Sequence, residues 1–122
     1  DEERAQRRIE RWRKVAIHAC EQCGRNTLPT VGPVVSLDAA LRESRGLGLV
    51  LHPQAGAGLR SIGKERDITL LVGPEGGLSR GEVQAALEKG FRGLRLGPRI
   101  LRTETAAVAA LAAIQTLWGD LA

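Results

Sequence analysis

The chain contains no methionine and no tyrosine, and Trp12, Phe91 and Trp118 are its only aromatic side chains. That scarcity argues against a recognition sheet that stacks bases on rows of aromatics. Cysteine is scarce too. Cys20 and Cys23 alone cannot build a disulfide framework, which points to a reducing, cytoplasmic setting. With no further cysteine and no nearby histidine pair they cannot complete a zinc tetrahedron either, so no metal site is expected. No apolar run approaches the ~20 residues that span a bilayer. The charged opening DEERAQRRIERWRK is not a signal peptide. The missing methionine and a first helix that opens without an evident cap are read as marks of a piece whose natural start lies upstream.

What is present is basic. The net charge is +4, and arginine supplies fifteen of the eighteen basic side chains. Such a balance suits an anionic partner, although a solvated surface accounts for it equally well. Residues 2–24 repeat apolar side chains at three- and four-residue spacing. Ala5, Ile9, Trp12, Ala16, Ala19 and Cys23 form one stripe, and Arg4, Arg8, Arg11 and Lys14 share another face. Both cysteines are expected to be buried there as small apolar residues, and Gly24 to stop the helix. A proline-containing loop follows.

From residue 37 the pattern alternates. A short helix over 37–45 precedes an apolar strand over 46–53 and a glycine-rich connection. A second strand over 67–73 follows. Ser79 and Glu82 then form an S-x-x-E capping box for a helix ending near Lys89. A short strand over 91–97 leads through PRILR to a last helix, capped by Thr103 and apolar on nearly all sides, hence deeply buried. Strands alternating with helices predict an α/β fold, with a mostly parallel sheet covered by helices on both faces. Ligands on such sheets bind at the carboxyl ends of the strands. Here those ends are His52-Pro53, Gly73 to Gly77 and Leu96 to Leu101.

Two motifs stand at these ends. GPEGG (73–77) combines glycines that let a ligand approach the backbone, with Gly76 expected to take angles open only to glycine, but it lacks the lysine and Ser/Thr of a phosphate loop and the G-x-G-x-x-G of a dinucleotide site. Alone it is a tight strand-to-helix turn. LGPRILRTETA (96–106) places Arg99 and Arg102 around an apolar Ile100-Leu101 pair, too apolar for an ordinary solvated loop.

GPEGGLS followed by LGPRILRTETA resembles the 16S ribosomal RNA uracil-N3 methyltransferases, members of the knotted SPOUT superfamily. ERWRKVAIHACEQCGR is similar to that family's helix with its W-x-K and EQ-x-x-R elements. The resemblance covers almost the whole chain. It implies a C-terminal deep trefoil knot, a homodimer, S-adenosylmethionine as cofactor and small-subunit ribosomal RNA as substrate. It further implies that residues 1–122 are a partial methyltransferase domain, with the first strand and helix and an RNA-binding barrel upstream.

Carried over residue by residue, it makes Leu51, His52 and Pro53 one wall of the cofactor pocket. Gly73, Glu75, Gly76 and Gly77 lie beside the methionine part. Leu96, Gly97, Ile100 and Leu101 surround the adenine, with Thr105 at the start of the last helix. Arg102, Arg25 and Glu75 are the candidate catalytic residues. Two rivals stay open: a ribose 2′-O-methyltransferase of the same superfamily, whose serine-asparagine pair is missing here, and a non-catalytic RNA-binding or dimerisation domain.

Overall fold

The computed structural model describes residues 1–121, which fall into two compact units, one of Asp1–Ser36 and one from Leu37 onward. The first unit is helix α1 (Glu2–Cys23) and the loop that follows it. The helix is capped at both ends. Asp1 accepts hydrogen bonds from the backbone N–H groups of Glu3 and Arg4, which corrects the expectation of an uncapped start. Gly24 ends the helix in the left-handed conformation at φ 81°, where a side chain would be strained. The loop folds back along its own helix: the Arg13 guanidinium donates to the Val31 carbonyl at 3.4 Å and the Cys20 thiol to that of Thr27 at 3.9 Å.

The expected stripe is partly displaced. Ile9 and Cys20 are buried and Ala5 and Ala16 half-buried, whereas Trp12, Ala19 and Cys23 are exposed. At 3.6 residues per turn the line through Ile9, Ala16 and Cys20 runs nearly straight down the helix. Trp12, Ala19 and Cys23 sit to one side of it. The burial expected of both cysteines therefore holds for Cys20 alone.

The second unit contains α2 (Leu37–Glu43), β1 (Leu47–Leu51), a 3-10 turn (Leu59–Ser61), β2 (Ile68–Leu71), α3 (Arg80–Glu88), β3 (Arg92–Leu94) and α4 (Thr103–Trp118). The strands form one parallel sheet in the order β2-β1-β3, with Leu49 opposite Leu70 and Arg92. The central strand is buried on both faces because successive side chains point opposite ways. Val50 packs with Leu41, Ala86 and Phe91 under α2 and α3. Leu49 packs with Ile62 and Leu94, joined by Ile114 and Trp118 of α4. Helices thus cover both faces, as the alternation predicts. Gly48 in β1 is required by close approach: a Cβ there would lie 2.6 Å from the Phe91 ring.

Helix α4 departs from expectation. Only Ala110 is fully buried, while Val108 is 68% and Leu111 53% exposed. A three-stranded sheet covers one side of a helix, and an apolar residue on the far side then meets solvent. No helix among the described residues is long and apolar enough to cross a membrane.

Candidate functional site

Because all three strands are parallel, their carboxyl ends share one edge of the sheet. The loops leaving them, residues 52–58, 72–79 and 95–102, meet there around a cavity of about 490 Å³. This lies within the range of small-molecule sites.

Each loop is positioned differently. After β1, the His52 N–H donates to the Leu94 carbonyl at 3.0 Å, extending the ladder one residue past the strand. The His52 ring accepts at Nδ1 from the Gln54 N–H at 3.0 Å. After β2, the chain turns sharply into α3. A Cβ on Gly73 would lie 2.9 Å from both the Leu78 side chain and its backbone nitrogen. Gly77 takes φ 81° and its N–H donates to the Pro74 carbonyl at 2.8 Å. The turn then enters α3 through the expected capping box: Ser79 Oγ accepts from the Glu82 N–H at 3.1 Å, and the Glu82 carboxylate from the Ser79 N–H at 2.8 Å.

The loop after β3 has little structure of its own. It is held at its ends by backbone belonging to the other two loops. The Arg95 N–H donates to the Ala57 carbonyl at 2.8 Å, and Thr103 Oγ1 donates to the Pro74 carbonyl at 2.9 Å. Between these points Gly97 turns at φ 71°. The expected role of Thr103 as helix cap is corrected here. Arg102 occupies the cap position without a side-chain cap bond, and the Thr103 hydroxyl instead links two loops 29 residues apart in sequence.

The cavity brings together most of the residues picked from the sequence. Leu51, His52, Pro53, Gly73, Glu75, Gly76, Gly77, Leu96, Ile100, Leu101 and Arg102 all line it. Gly97 and Thr105 do not, and Arg25 belongs to the first unit. Sequence reasoning left out Val72, Pro74, Leu78, Arg95, Arg99 and Thr103, which line the cavity as well. Arg95 and Arg99 carried a signal: both stand in the apolar strand-end segment that holds Arg102.

The lining is apolar with few charges. Glu75 is its one carboxylate, against the guanidinium groups of Arg95, Arg99 and Arg102. Arg102 forms no ion pair with Glu75 or Glu104 among the described residues. Ile100, at the rim, is 81% exposed. Gly76 has open space where a Cβ would stand and no positive φ. The glycine-only backbone expected of it belongs to Gly77 instead. Among the described residues no cluster of His, Cys, Asp or Glu is arranged to hold a metal.

The model of the RNA methyltransferase domain family matches residues 1–115. Ribosomal RNA small subunit methyltransferase E of Buchnera aphidicola is 36% identical over 93% of this chain and 46% of its own length. The same-named protein of Neisseria gonorrhoeae, solved bound to S-adenosylmethionine, is 45% identical with a TM-score of 0.92, over 98% of this chain and 52% of that one. A Legionella pneumophila protein solved with its cofactor SAM aligns with a TM-score of 0.94 at 43% identity, over 99% of this chain and 51% of the other. The chain spans about half the length of these relatives.

Proposed function

The chain belongs to the RNA methyltransferase domain family, and on that premise we propose that it binds S-adenosylmethionine in the strand-end cavity and serves methylation of a uracil N3 in small-subunit ribosomal RNA, in the cytoplasm. The observation that carries this reading is the charge composition of a largely apolar cavity, lined by one carboxylate and three arginines.

The residues present suit such a cofactor. Leu96, Ile100 and Leu101 supply apolar cover for a purine ring. The open space beside Gly76 admits a ligand against the backbone. Glu75 is a counter-charge for a cationic sulfonium and amino group. When bound, the cofactor supplies an electrophilic methyl group.

The protein's part is orientation and electrostatics. The N3 lone pair of uracil becomes available only once its proton leaves, and the resulting charge spreads over two carbonyl oxygens. A cationic sulfonium gives an arginine nothing to attract, so Arg102 is assigned to the RNA. Arg102, which forms no ion pair among the described residues, offsets the charge on the uracil oxygens. Its planar fork holds a carbonyl or phosphate in a way lysine does not reproduce. Holding nitrogen and methyl group in line adds the proximity contribution.

Two further parts of the reading have support within the second unit. Residues 95–103 are laced to the loops after β1 and β2 by the Arg95 and Thr103 bonds, an arrangement suited to a C-terminal trefoil knot. The exposed Val108 and Leu111 of α4 suit a homodimer interface.

Calorimetric titration with S-adenosylmethionine is the first test, and absence of binding removes the cavity assignment. Methylation of small-subunit RNA is then read by primer extension. Methyl at N3 blocks Watson–Crick pairing and stops the polymerase, whereas a 2′-O-methyl product would refute the N3 assignment.

A further inference from the structure

From the distribution of charge on α1 we infer that its solvent face is a second RNA contact, one that grips the phosphate backbone through Arg4, Arg8, Arg11 and Lys14 and stacks a base on Trp12. The inference rests on the RNA reading above but uses no residue of the cavity.

All four cations are exposed. At 3.6 residues per turn they fall within a sector of about 120°, one every 4.5–6 Å or so along the axis. The carboxylates of the helix, Glu2, Glu3, Glu10 and Glu21, lie outside that sector. The one ion pair on α1 joins Arg7 to Glu3 at 3.7 Å, with both side chains largely in water. The four cations therefore make no ion pair among the described residues. Ordinary solvated helices interleave opposite charges at i and i+4 for mutual support. Here Arg4 is followed by Arg8, and Arg11 by Val15; Lys14 alone of the four has a carboxylate at that spacing, Glu10, and no ion pair joins the two among the described residues.

Trp12 supplies the second observation. It borders the row one turn after Arg8 and is 43% exposed. A large aromatic next to unpaired arginines is the combination that single-stranded nucleic-acid grooves use: cations track the phosphates and the ring stacks on a base. An anionic membrane surface would also attract the cations. It would call for a broad apolar face opposite them, and that side of α1 already buries Ile9 and Cys20.

The test uses the full chain and a fluorescein-labelled oligouridine, with affinity followed by anisotropy across a potassium chloride titration. Each phosphate contact on a single strand contributes about −0.7 to the slope of log affinity against log salt. The combined variant Arg4→Gln, Arg8→Gln, Arg11→Gln, Lys14→Gln keeps good helix formers. It should flatten the slope by about 3 and weaken low-salt binding on the order of 100-fold. A charge-matched control, Arg60→Gln, Lys64→Gln, Arg66→Gln, Lys89→Gln, should leave the slope within about one unit. Trp12→Ala should weaken binding roughly tenfold with the slope unchanged, and Trp12→Phe should restore most of it.

Equal slopes for the helix variant and the control overturn the proposal. So does the absence of oligouridine binding by the parent chain, or equally salt-sensitive binding of both variants to phosphatidylserine vesicles in place of RNA. S-adenosylmethionine titrations run on the same samples keep this outcome separate from the cavity assignment, whose failure shows there and not in the salt slope.

Discussion

The two loops that face each other across the cavity reach their shapes by opposite routes. Residues 73–79 are shaped by their own sequence. Gly73 permits close approach, Gly77 supplies the positive φ, and Ser79 with Glu82 fixes the entry into α3. Residues 95–102 contain no comparable local bonds and are pinned by Ala57 and Pro74. One loop is a self-contained turn, and the other takes its form from its neighbours. Charge divides along the same line, since the self-shaped loop carries the carboxylate and the suspended one carries the arginines and the exposed apolar rim.

The sharpest way to break this division is to remove charge from the suspended loop alone. Arg102→Ala in the full protein should slow single-turnover methylation by roughly 100-fold or more, the scale of one lost electrostatic donor. Affinity for S-adenosylmethionine should change little. An unchanged rate, or a loss explained wholly by weaker cofactor binding, would move Arg102 out of the mechanism.

A smaller effect separates the two glycines of the self-shaped loop. Gly77→Val forces a β-branched residue to φ 81° and should lower thermal stability by about 1–3 kcal/mol, with cofactor affinity falling alongside. Gly76→Val has room in the protein itself and should leave the melting temperature nearly unchanged while still weakening cofactor binding. If both variants bind the cofactor normally, the loop does not face it.

The smallest effect is expected at the joint between the loops. Thr103→Val removes one hydrogen bond of about 1 kcal/mol, which should raise the cofactor dissociation constant roughly fivefold. Thr103→Ser should restore it. Equal affinities across the three proteins would mean that the rim is held without this bond.

The same contrast explains what could be read in the sequence. The parallel sheet, the order of elements, the stop at Gly24 and the capping box all follow from spacing and residue type, because short-range rules govern them. The self-shaped loop is legible for that reason, although residue type alone does not tell which of Gly76 and Gly77 takes the positive φ. Thr103 reads as a cap because its partner lies 29 residues away, and nothing local distinguishes a hydroxyl that caps a helix from one that ties two loops. The exposed side of α4 and the exposure of Trp12 and Cys23 escaped for a related reason. Periodicity says which residues could share a buried face but not how wide a face the rest of the chain offers.

Ile100 remains 81% exposed at the rim, so folding leaves much of its apolar surface hydrated. Whatever seats itself against it sheds that water, and the thermodynamic mark of shedding it is a negative heat-capacity change on binding. The enthalpy of cofactor binding should therefore grow more favourable as the temperature rises, and replacing Ile100 by alanine should flatten that trend before it abolishes binding.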